Sequence, residues 1–135
     1  MALAEPRLVR VVAALIARGD HLLIQQRPAG SARAGLWEFP GGKREAGETD
    51  EQALARECHE ELGVTVVVGP RLWQGEHAYE DLVVSLALFG CLLADGEPRP
   101  LCDQRLLWAD RKRLADYPFV AADVPLLGPL ARGEL

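Results

Sequence analysis

The run from Gly42 to Val64, GKREAGETDEQALARECHEELGV, constrains this chain more than any other stretch. Its second half predicts a helix over Asp50 to Leu62. Thr49 is placed to act as N-cap, and Gln52 three residues later completes a capping box. Asp50 and Glu51 fall in the first turn, where the helix dipole favours negative charge. Gly63 is a natural stop, because glycine adopts the left-handed conformation that ends helices. At 100° per residue, Leu54, Cys58 and Leu62 form an apolar stripe that Ala55 widens. Glu57, Glu60 and Glu61 share an adjoining arc, and Arg56 lies beside it.

Crowded carboxylates repel, at roughly 0.2–0.5 kcal/mol for an i, i+4 pair. A Glu-rich helix face is ordinarily a solvated surface. Three features favour chemistry instead. The carboxylates abut the buried stripe. The preceding loop, FPGGKREAGE, carries three glycines, so its backbone can approach a ligand closely. Hard carboxylate oxygens suit Mg²⁺ or Mn²⁺ rather than zinc. Glu57, Glu60 and Glu61 can supply metal oxygens, and backbone carbonyls near Gly41 and Gly42 can add another.

This segment resembles the signature box of the Nudix hydrolases at every charged and glycine position. The one departure is Cys58, where the family usually carries a larger aliphatic residue. LLIQQRP and GLWEFPGG upstream are similar to the MutT branch, and the tail YPFVAADVPLL is most similar to the CTP pyrophosphohydrolase members. The resemblance implies an α/β/α sandwich with a mixed sheet, a catalytic loop-helix at about 41–63, and a C-terminal helix. It implies Mg²⁺-dependent (or Mn²⁺-dependent) conversion of a nucleoside triphosphate and water into the monophosphate and pyrophosphate. CTP, dCTP or 5-substituted cytidine triphosphates are favoured. The alternatives are 8-oxo-dGTP and, more remotely, a catalytically silent nucleotide-binding module.

The same resemblance assigns roles. Glu57 and Glu61 are expected as direct metal ligands and Glu60 as ligand or general base. Arg56 is expected to orient Glu57, and Glu48 to brace the loop or reach the metal through water. Arg27 is expected to reach phosphate or base, with a solvent-exposed strand end as the alternative. Glu38 lies between Trp37 and Phe39, so alternation points it away from both; substrate binding competes there with a plain surface role. Asp103 is a candidate extra acid, although the CTP pyrophosphohydrolase members carry a glutamate one residue earlier in this register. Asp123 stands where the 8-oxo-dGTP-preferring MutT proteins carry asparagine. An ionised aspartate accepts from cytosine N4 and repels a guanine O6. The competing reading makes Asp123 the N-cap of the C-terminal helix.

The 135 residues suit one domain spanning the chain. The net charge of −5 argues against polymeric nucleic acid as a partner. Three cysteines without CxxC spacing argue against a disulfide framework or zinc site and for a reducing, cytoplasmic setting. MALAEPRLVR does not read as a signal peptide, and no apolar run reaches the ~18 residues of a membrane span. The expected partner is a small nucleotide; oligomeric state is open.

Along the chain, Leu8 to Ala17 reads as a strand buried on both faces and His21 to Gln26 as its hairpin partner. Pro28 to Gly35 reads as a loop and Trp37 to Phe39 as a short strand. Val64 to Val68 is expected as a strand broken by Gly69-Pro70. Leu72 to Tyr79 and Leu82 to Leu93 are expected as an antiparallel pair, with a loop at Gly96 to Pro100. Arg105 to Ala109 follows as a short strand, Arg111 to Ala115 as a helical turn, and Asp123 to Ala131 as the last helix.

Overall fold

A computed structural model describes residues 7–135. The reading of MALAEP therefore lies outside the described residues. The elements in chain order are β1 (Arg7–Arg18), β2 (His21–Gln26), β3 (Trp37–Glu38), β4 (Gly41–Lys43), α1 (Asp50–Leu62), β5 (Thr65–Ala78), β6 (Leu82–Asp95) and β7 (Arg105–Asp110), then 3₁₀ turns at Arg111–Asp116 and Ala121–Asp123, and α2 (Val124–Ala131).

The seven strands make one mixed sheet. Its path runs β3-β2-β1-β6-β5, with β4 also pairing β1 and β7 also pairing β2. β1 and β6 are parallel, with Val12 opposite Ala87, and the other pairs are antiparallel. β1 is central, and from Val12 to Ile16 it is buried on both faces. Val12, Ala14 and Ile16 pack under α1 with Ala53, Leu54, Cys58 and Leu62. Ala13 and Leu15 face the other way and pack with Leu114, Leu126 and Leu130. Alternation along one strand thus feeds two helix layers, which is the expected α/β/α sandwich.

The helix α1 forms as its sequence dictates. The Thr49 side chain accepts from the Gln52 N–H at 3.1 Å, and the Gln52 side chain accepts from the Thr49 N–H at 2.9 Å. Gly63 ends it at φ 68° and ψ 26°.

Three local expectations are corrected. Gly69-Pro70 does not break the strand. β5 runs on to Ala78 through a bulge, where the register shifts between Val68 and Arg71. A bulge frees one residue from the ladder, so a proline without an N–H fits there. Gly69 is required because a Cβ would lie 2.7 Å from the Gly90 carbonyl oxygen. Gly41–Lys43, read as loop, is a short strand on β1. Asp123 does not cap α2: its side chain makes no capping bond and its backbone is already helical. The preceding 3₁₀ turn sets that backbone, and Pro125 removes a donor that a cap would use.

Candidate active site

Glu57, Glu60 and Glu61 leave α1 at three depths. Glu61 is the deepest. Its Oε2 accepts from the Gly41 N–H at 3.3 Å and from Gln25 Nε2 at 3.4 Å. Burial, with Glu57 and Glu38 nearby, pushes its pKa up to about 8. Glu57 is half-buried, and desolvation raises its pKa against the pull of Arg56. Glu60 stands in solvent with its side chain 58% exposed.

Arg56 gathers the ring of acids. Its Nε and Nη2 hold Glu48 at 2.7 and 2.9 Å, and its Nη1 holds Glu57 at 2.9 Å and Glu60 at 3.2 Å. Nη2 also donates to the Lys43 carbonyl at 3.1 Å. The guanidinium therefore ties helix to loop as well as orienting Glu57. Glu48 closes the loop on itself by accepting from the Glu45 N–H at 2.9 Å. Its Arg56 partner, helped by that N–H, holds its pKa down at about 2.

The glycines before the helix set how closely the loop approaches these acids. Gly41 has φ 153°, and a Cβ there would overlap the Val12 carbonyl. A Cβ on Gly42 would sit within 2.7 Å of both Glu57 carboxylate oxygens. The loop backbone is thus pressed against Glu57, with space for a bare methylene and nothing more. Among the described residues no three His, Cys, Asp or Glu side chains converge on one point. The donors present are carboxylates, two of them held partly out of water, beside bare backbone. That set matches the hard-oxygen preference of Mg²⁺ or Mn²⁺, and the residues fit such an ion.

A cavity of about 420 Å³ opens beside Glu61 and Gly41. Arg27, Glu38 and Asp123 line it, so three expected substrate residues meet there. Arg27 is committed to structure at one end: Nη1 donates to Glu38 at 2.9 Å and Nε to the Ala32 carbonyl at 2.6 Å. Trp37 and Phe39 are buried in the α2-side core, Phe39 also bordering the cavity, and Glu38 between them lines it too. Asp123 is 5% exposed. Its Oδ2 accepts from the Phe39 N–H at 3.1 Å, and burial, with Glu38 adding, raises its pKa to about 7.

Asp103 is exposed at a turn with φ 59° and does not line this cavity. Its neighbour Gln104 is the residue that reaches the site. Gln104 Nε2 donates to the Glu61 carbonyl at 2.9 Å and to Gln25 Oε1 at 3.4 Å. Gln25, 3% exposed, passes its own amide on to Glu38 at 3.0 Å as well as to Glu61. Sequence reasoning missed both glutamines. The only signal was a polar residue following the apolar Leu22-Leu23-Ile24 run, which reads equally as a strand end.

The NUDIX domain model matches residues 11–128. The chain is 38% identical over 121 residues to the CTP pyrophosphohydrolase of Escherichia coli, covering 90% of each. It is 41% identical over 125 residues to the putative 8-oxo-dGTP diphosphatase 2 of Mycobacterium tuberculosis, covering 90% of this chain and 87% of that one. The solution structure of the E. coli ORF135 protein superposes with a TM-score of 0.77 at 36% identity, over 95% of this chain and 91% of that one. Loop, helix-borne acids and cavity thus belong to a known architecture: the chain is a member of the Nudix hydrolase family and an enzyme of that family.

Proposed function

We propose that the protein is a Mg²⁺-dependent (or Mn²⁺-dependent) nucleoside triphosphate pyrophosphohydrolase that favours cytidine nucleotides. The observation that carries this is the position of Glu61. It belongs both to the acidic face of α1 and to the wall of the cavity of about 420 Å³ that Arg27, Glu38 and Asp123 also line. A nucleotide seated in that cavity would bring its phosphates to the acids. Glu57 and Glu61 would hold the metal with the Gly41 carbonyl, and Glu60 would close the solvent side. When bound, the ion supplies neutralisation of phosphate charge and acidification of water.

The protein's own groups do the rest. Gln25 and the Gly41 N–H fix the Glu61 carboxylate. Arg56 holds Glu57 and Glu48 in one arrangement, so no loop ordering is needed during the reaction. Water attacks phosphorus in line. A new P–O bond forms, the bridging P–O bond breaks, pyrophosphate leaves, and the water proton passes to one of Glu57, Glu60 or Glu61.

At the base end, Asp123 Oδ1 makes no hydrogen bond to the described residues and can accept from cytosine N4. One observation keeps 8-oxo-dGTP as a second reading. A carboxyl with a pKa of about 7 is neutral part of the time, and a neutral carboxyl donates as well as accepts. Charge repulsion with an oxopurine is then not absolute. A panel of (d)NTPs compared by kcat/KM tests the assignment, with pyrophosphate as the measured product. Cytidine nucleotides should lead. Asp123→Asn should move the ratio toward 8-oxo-dGTP by about 5- to 150-fold, the equivalent of one base contact at roughly 1–3 kcal/mol. A wild-type preference for 8-oxo-dGTP would select the second reading.

A further inference from the structure

The cavity wall holds a second polar group near Asp123. Tyr79, which ends the β5 arm, lines the cavity. Its hydroxyl oxygen accepts from the Ala122 N–H at 2.9 Å, one residue before Asp123. That bond uses a lone pair and leaves the hydroxyl hydrogen free. Among the described residues the hydroxyl donates to none. A phenol O–H is both donor and acceptor, so a donor stands unspent in the wall that also holds the free Asp123 oxygen.

The ring carrying it is clamped. The Arg33 guanidinium lies 3.9 Å from the ring centroid and reaches Asp81 at 3.4 Å. The His77 ring meets the same phenol edge-on at 4.6 Å. Arg33 holds φ 56°, an unusual value for a residue with a side chain. Its loop is anchored at its base by the Arg27 bond to the Ala32 carbonyl. A phenol fixed at its hydroxyl, its face and its edge loses little freedom on contact with a ligand, which is the condition for a selective hydrogen bond.

We infer that Tyr79 is a specificity-determining residue that donates its hydroxyl hydrogen to a keto oxygen of the nucleobase, with Arg33 as the positioning residue that holds its ring. The inference rests on the proposed nucleotide pocket. Cytosine O2 and the carbonyls of an oxopurine are acceptors of the required kind, whereas adenine has no keto oxygen. Paired with Asp123, Tyr79 gives the wall an acceptor and a donor. The base it suits presents an amino or N–H group and a carbonyl along one edge.

The test compares CTP, 8-oxo-dGTP and ATP on wild type, Tyr79→Phe and Arg33→Ala. It uses kcat/KM, or Ki as a competing ligand where turnover is slow. Tyr79→Phe should lower the values for CTP and 8-oxo-dGTP by about three- to tenfold, the range of one neutral hydrogen bond, and leave ATP within about twofold. Arg33→Ala should show the same selectivity at smaller size and add little in the double variant, since both act through one hydroxyl. An equal loss for all three nucleotides would mean that Tyr79 only supports the Ala122–Asp123 backbone, and would overturn the inference. So would unchanged values, or additive losses in the double variant. Should the wild type neither hydrolyse nor bind any nucleoside triphosphate, the proposed function fails first, a result separable from failure of Tyr79 alone.

Discussion

Asp123 is almost sealed from water, yet it faces a cavity and holds one backbone N–H. Its folded pKa of about 7 lies above its ordinary value of 3.8. The folded state therefore binds that proton more tightly than the unfolded chain does. The resulting stability is complete below about pH 4 and is lost as pH rises through about 7. In metal-free buffer, stability should decline across that window, and Asp123→Asn should flatten the decline. The part that remains belongs to Glu61, whose window runs from 4.5 to about 8, and to Glu57, whose pKa is also raised by burial. Chemical denaturation at several pH values checks this; an unchanged slope in Asp123→Asn would mean the carboxyl titrates normally. At this scale the sequence was readable only where function imposes spacing. The Glu57, Glu60 and Glu61 offsets made the acidic arc of α1 legible. Gln25 and Gln104 did not show, because their burial arises when β2 is covered by β3 and β7, partners far along the chain. Asp123 does line the cavity, while its other reading as a helix cap failed on the adjacent turn.

The loop from Gly41 to Thr49 and the helix after it act as one unit, tied by Arg56 to Glu48 and to the Lys43 carbonyl. Gly41 and Gly42 are needed for different reasons. Gly42→Ala would drive a methyl against the Glu57 carboxylate, the movable end of a side chain. The fold should survive, with activity falling by about 10- to 100-fold as Glu57 is displaced. Gly41→Ala would drive a methyl into the Val12 carbonyl, which is fixed backbone of the central strand. That variant should lose β4 pairing and melt lower, or fail to fold. Kinetics and thermal melts of the two variants check the contrast, and equal stability with equal activity would contradict it. Capping is local, so Thr49, Gln52 and Gly63 announced α1 to the residue. The bulge at Gly69-Pro70 and the strand at Gly41–Lys43 depend on what β6 and β1 present opposite them. No local pattern could have revealed either.

For the molecule as a whole, the apolar run of β1 was legible as a strand buried on both faces, which holds from Val12 to Ile16 and not at exposed Leu8, Arg10 and Ala17; the helix layers on the two faces were implied by the family resemblance. The parallel pairing of β1 with β6 was not visible, since nothing in either strand records which partner it meets. The fold delivers Glu61 from α1, backbone from β4 and Asp123 from the turn before α2 to a single cavity. Arg56 offsets part of the repulsion among Glu48, Glu57 and Glu60, but buried Glu61 has no cationic partner among the described residues, and a cation bound by the folded state would relieve the rest. Millimolar Mg²⁺ should therefore raise the melting temperature, with about 2.7 kcal/mol of stabilisation at a hundredfold excess over Kd. Glu57→Gln should blunt the rise; a flat response in the wild type would argue against a preformed site. If the proposed function holds, the Glu61 carboxylate is what makes this cavity a pyrophosphohydrolase site. Pyrophosphate release from CTP, followed as Mg²⁺ is titrated into wild type and Glu61→Gln, decides it. Wild type should give metal-dependent pyrophosphate and CMP, and the variant should fold with a kcat at least about 10²-fold lower. Near-normal turnover by Glu61→Gln, or orthophosphate as the wild-type product, would contradict it.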